Sequence, residues 1–76
     1  MIAELDTVVL KQDLPEKGLV AGDLGTVVLV HGRSGYEVEF NTLGGDTVAV
    51  VSLSPRQIRP AGSGEIAHAR SVEAAG

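Results

Sequence analysis

The clearest alternation of apolar and polar positions runs through Tyr36–Asn41, "YEVEFN", where Tyr36, Val38 and Phe40 face one way and Glu37 and Glu39 the other. A period of two residues is what an antiparallel strand buried on one face requires. Four more apolar runs, rich in β-branched residues, predict strands over Leu5–Leu10, Thr26–Gly32, Thr47–Leu53 and Ile58–Pro60. In the first, alternation sets Val8 and Leu10 against Thr7 and Val9. Pro60 ends the last, because it has no N–H to give to a ladder.

The segments between these runs carry turn chemistry. Lys11–Gly25 contains Pro15, Gly18, Gly22 and Gly25 and reads as a long, turn-rich first loop with little room for a helix. "GRSG" (Gly32–Gly35) and "LGGD" (Leu43–Asp46) predict two tight hairpins. Ser54 followed by Pro55 predicts one 3₁₀ turn before the last strand. Five short strands, a long first loop, two hairpins and that turn match an SH3-like barrel over residues 2–60. An OB-type barrel, which wants a helix between its third and fourth strands, has only Asn41–Asp46 available for it. Residues 61–76 turn to Ala, Gly and Ser and predict a flexible or weakly helical tail. A helix over Glu65–Ala74 would set Ile66, Ala69 and Val72 roughly on one stripe, but helices this short are marginal in water.

Two strands are apolar on both faces. In "TVVLV", alternation places Val27 and Leu29 on one side and Val28 and Val30 on the other. In "TVAVVSL", Val48 and Val50 oppose Ala49, Val51 and Leu53. A small barrel needs one apolar face per strand, so the second face is either covered by loops and tail or left open as an interface. The candidate interface is Val28, Val30 and Val51, with Arg33 and Tyr36 at a hairpin edge.

The chain has 76 residues, no Cys and a net charge of −4. This is the size of one small domain, and its stability must come from aliphatic packing or association, since neither a disulfide nor a thiolate metal site is available. A cysteine-free chain fits a reducing compartment. The first ten residues include Glu4 and Asp6 and lack a basic start, unlike a signal peptide, and no apolar run approaches the roughly 20 residues of a membrane span. A soluble, cytoplasmic protein is expected. Clustered cations dominate nucleic-acid binding. On an acidic chain, that function would need Arg33, Arg56 and Arg59 to converge in the fold.

No catalytic, cofactor or metal signature emerges. "AGDLGTVVLV" (Ala21–Val30) is rich in glycine, but Asp23 would repel a phosphate and a strand follows where a phosphate loop needs a helix. Gly22 and Gly25 are therefore expected to serve a turn and a close backbone approach or bulge. Glu37 and Glu39 read as a solvated strand face, and His31 as a strand-end residue. His68 lies in the tail, and neither histidine has further ligands at matched spacing. Ser34, Ser52 and Ser54 lack a nucleophile elbow. With only Tyr36 and Phe40 as aromatics, the chain is poorly equipped to read proline-rich peptides.

"DLPEKGL" (Asp13–Leu19), "AGDLGTVV" (Ala21–Val28), "YEVEF" and "QIRP", in this order and spacing between Ile2 and Pro60, resemble a family of short bacterial proteins known only as a domain of unknown function, the four-nine-two-six family. The resemblance implies an SH3-like fold and stand-alone proteins often paired with a companion, as in toxin–antitoxin or immunity pairs. It implies no catalytic residues. Together these readings lead to the expectation of a non-enzymatic protein-binding module, without cofactor, that neutralises or accompanies a partner. The alternatives are a nucleic-acid- or ribosome-associated module and a self-associating structural protein.

Overall fold

A computed structural model describes residues 1–72. Five strands follow one another: β1 (Thr7–Leu10), β2 (Leu24–His31), β3 (Gly35–Asn41), β4 (Thr47–Leu53) and β5 (Ile58–Pro60). They form one antiparallel sheet in the order β4-β3-β2-β1-β5. The chain is thus all-β. β4 and β5 stand at opposite edges of the sheet, with no ladder between them, so the sheet is not closed by hydrogen bonds. Even so, both edges feed one core: Leu53 of β4 and Ile58 of β5 belong to the same buried cluster as Val8, Leu10, Leu19, Val27, Val38 and Phe40. Burying each such side chain contributes about 1.5–3 kcal/mol, and only a strongly curled sheet lets its two edges share that gain. No helix among the described residues is long and apolar enough to cross a membrane.

The strand positions follow the sequence pattern, with shifts at the ends that have local causes. β1 starts at Thr7 because Leu5 adopts φ 72° in a turn where Asp6 Oδ2 accepts the Ala3 N–H at 2.9 Å. β2 begins earlier than expected, at Leu24, and takes in Gly25. A Cβ there would lie 2.5 Å from Val38 Cγ1 and 2.9 Å from Phe40 Cε1, so glycine is required for β2 to pass under β3's core side chains. Gly22, at φ 98°, completes a four-residue turn closed by the Asp23 N–H to the Val20 carbonyl at 3.1 Å.

The 3₁₀ turn lies in the first loop, at Pro15–Lys17, and not before β5. Pro15 presets its first φ, and Gly18 ends it in the left-handed region at φ 71°. Leu14 and Leu19 clamp its base with reciprocal backbone hydrogen bonds of 2.9 and 3.1 Å, which puts Leu19 into the core. Ser54–Gln57 forms a single hydrogen-bonded turn instead. The Gln57 N–H donates to the Ser54 carbonyl at 3.0 Å, and Gln57 Oε1 accepts the Ser54 N–H at 2.8 Å. The next residue, Ile58, already enters β5 and the core, leaving no length for a further turn.

The expected phase of β2 changes midway. Val27 pairs with Val38, but the next pair is Leu29 with Glu37, so Val28 forms a β-bulge. Beyond it Leu29 shares the outer face with Glu37, while Val30 pairs with Tyr36 and turns inward. Residues 61–72 contain no helix. A turn at Gly62–Glu65 is followed by irregular chain, and the last part of the helix considered over Glu65–Ala74 lies outside the described residues.

Candidate functional site

The five residues singled out from the sequence do not share one surface. Val30, Tyr36 and Val51 are half-buried and pack against the core. Val28 is 40% exposed at the bulge, and Arg33 is exposed in the turn between β2 and β3. Two effects separate them. The bulge exchanges the roles of Leu29 and Val30, and β4 turns the face bearing Ala49, Val51 and Leu53 inward. The exposed apolar members of the outer face are Val28, Leu29 at 44% and Val50 at 53%. Of these, Leu29 and Val50 were missed from the sequence. The large Leu53 marks the buried face of β4 and so points to Val50 as an outer residue, but no residue type announces the bulge.

Polar side chains between these apolar positions are mutually satisfied. Glu37 Oε2 accepts from the Ser52 hydroxyl and lies 2.8 Å from His31 Nε2. Those two contacts, Ser52 first, hold the Glu37 carboxyl below its usual range. The grouping of Ser, His and Glu is not a nucleophile triad: both partners address the carboxylate, whereas hydroxyl activation needs the imidazole between the hydroxyl and the acid. Similarly, Glu39 Oε2 accepts from Thr47 Oγ1 at 2.9 Å and from Asn41 Nδ2 at 3.2 Å. Among the described residues no group of three His, Asp or Glu side chains is placed to hold a metal ion.

β4 has a ladder on one side only, to β3. Among the described residues, no backbone hydrogen bond outside that ladder involves Thr47–Leu53. The strand "TVAVVSL" carries neither charge nor proline, two of the devices that blunt an edge, and its one irregularity is a register shift at Val48, between Thr47 and Ala49. Its outer face is marked by Val50, next to Glu39 of β3.

From β5, residues 61–72 run back past Val9 of β1 and Leu24 of β2 and reach a groove that Phe40 and Val48 also line. Arg59 and Glu65 form a two-pronged ion pair at 2.8 and 2.6 Å, and Glu65 also accepts the Gly62 N–H at 2.6 Å. The guanidinium of Arg59, followed by the Gly62 N–H, pulls the Glu65 carboxyl down to about 2. Further along, Arg70 Nε and Nη2 grip the two oxygens of Asp23 at 2.8 and 2.6 Å, and Nη2 also donates to the Gly18 carbonyl at 2.9 Å. This guanidinium depresses the Asp23 carboxyl. Of the arginines considered for nucleic acid, Arg33 and Arg56 lie in turns and Arg59 is held by Glu65.

No curated protein and no solved structure matches the chain. A family profile matches residues 4–60, a stretch that holds all five strands, the Pro15–Lys17 turn and Asp23 and stops where the tail begins. The chain therefore belongs to the family described as Domain of unknown function (DUF4926).

Proposed function

We propose that this protein is a small, non-enzymatic protein-binding module of SH3-like build that accepts a strand of a companion protein at the open edge of β4. The unpaired, uncharged β4 edge carries this reading. Main-chain groups along such an edge supply affinity to an added strand, and the side chains beside it supply specificity. Val50, Val28 and Leu29 form the apolar part of the outer face that the companion would cover. A neutralising role, of the kind the family resemblance implies, follows if the strand taken up is one the companion needs for its own action. The cysteine-free chain suits the cytoplasm as the place of work.

The test compares capture of companion proteins from the native host by the full chain and by Val50→Lys, which places a cation on the edge. The reading requires a specific companion whose recovery falls at least about tenfold with the variant, a loss of roughly 1.4 kcal/mol. Equal recovery by the two forms overturns it. Light scattering separates the alternative, since a stable oligomer of the purified chain that Val50→Lys dissolves means that a second copy takes the edge.

A further inference from the structure

The Arg70 contact has the form of a receptor and its ligand. Asp23 offers both carboxylate oxygens and the Gly18 carbonyl adds a third acceptor, matching the planar fork of a guanidinium. The receptor is held in shape by the main chain. Gly18 closes the 3₁₀ turn, and Asp23 Oδ2 is fixed by the Val20 N–H at 2.9 Å. Beside it lies a groove of about 690 Å³ whose core-side lining includes Leu19, Leu24, Phe40 and Val48, with Asp46 on its rim. The tail, from Ala67 to Val72, forms one wall of this groove, and Asn41–Leu43 complete its lining.

The tail is a poor structural element but a good ligand. Ile66 is 94% exposed and Val72 37%, so apolar burial does little to hold it there. Its anchors are two ion pairs, Arg59 with Glu65 and Arg70 with Asp23, so the tail is held by polar recognition more than by burial. The acceptor site lies within residues 4–60, the stretch matched by the family, whereas its occupant lies outside that stretch.

We infer that the notch formed by Asp23 and Gly18 is a binding site for an arginine side chain presented on an extended segment of a partner protein, and that Arg70 fills it in cis. The tail then acts as an internal competitor. Held on the same chain by a short connection, Arg70 has an effective concentration on the order of millimolar, so a partner must bind well below that range to displace it. The acidic net charge of −4 favours the approach of a basic segment. The Asp23–Gly18 notch itself contains no residue of β4, although the groove beside it reaches Val48, and the inference does not depend on strand pairing at the β4 edge.

The experiment uses the full chain carrying Arg70→Ala and a fluorescent peptide of residues 64–72, read by anisotropy. Emptying the notch is expected to tighten peptide binding at least about tenfold over the unsubstituted chain, because the cis competitor is gone. Adding Asp23→Asn to Arg70→Ala retains an oxygen for the Val20 N–H but removes the charge, and is expected to abolish that gain. A peptide with lysine in place of its arginine is expected to bind at least about tenfold more weakly, because the two-pronged contact is lost. Val50→Lys is expected to leave all of these values unchanged. Absence of peptide binding to Arg70→Ala at millimolar concentration, or binding indifferent to Asp23→Asn, overturns the inference.

Discussion

At one edge of the sheet β5 is three residues long, ends in Pro60 and continues into the tail, whereas at the other β4 runs for seven residues with no charge and no proline. Both strands have a single ladder, β5 with β1 and β4 with β3. Both also send a large aliphatic side chain into the core. The difference lies on their outer sides. Arg59 of β5 donates to the Pro60 carbonyl at 3.2 Å and pairs with Glu65, so local polar groups occupy that edge. At β4 the outward main-chain groups have no partner among the described residues. A long edge without charge or proline invites pairing with another chain, so the contrast separates an edge occupied by its own polar groups from one left open among the described residues.

The contrast is sharpest in stability. Ile58 is 2% exposed, and Ile58→Ala is expected to lower the unfolding free energy by about 2–5 kcal/mol. Val50 is 53% exposed, and Val50→Ala is expected to change it by no more than about 0.5 kcal/mol. Urea denaturation of the two variants checks this. Similar losses in both would mean that β4 is covered after all and would remove the difference between the edges.

Gly35→Ala probes how β4 is held. A Cβ at Gly35 would stand 2.6 Å from the Leu53 backbone oxygen, and backbone cannot swing aside as a side chain can. A loss of about 1–3 kcal/mol is expected. Hydrogen exchange should rise first along β4, because its one ladder is the part displaced. Uniform loss of protection across β1 and β5 would show that the two edges melt together.

Acid tests the polar closure of the β5 edge. Glu65 is lowered from an ordinary value of 4.5 to about 2, so its folded form binds its proton less readily than the unfolded form. Its contribution is complete above about pH 4.5 and is lost as the pH falls toward 2. Asp23 is shifted in the same direction from 3.8 by Arg70. The tail is therefore expected to leave the sheet in this acid window before the core unfolds, seen as loss of protection of the Gly62 amide while Val27 and Val38 remain protected. Simultaneous loss at all three would tie the tail to the core.

Much of this fold was legible from local pattern. The alternation in Tyr36–Asn41 located β3, and its inner residues Val38 and Phe40 are buried as expected. Thr47–Leu53 and Ile58–Pro60 are strands with the expected bounds, and Gly22 and Gly25 serve a turn and a close approach. The site was less legible. The bulge at Val28 is an adjustment between two strands, and strict alternation carried Val30 to the wrong side of it. The 3₁₀ turn went to Pro15 because the Leu14–Leu19 clamp closes that loop, a pairing that neither residue type signals.

The sequence alone determined the strands, hairpins and buried alternation, because each depends on neighbours within a few residues and on a period of two. Tertiary structure decided which edge stays open, which valines face out and what the tail does. These depend on groups far apart in the chain, as with Arg70 and Asp23, 47 residues apart. A guanidinium and a carboxylate show their fit only when folding brings the β2 turn beneath the tail.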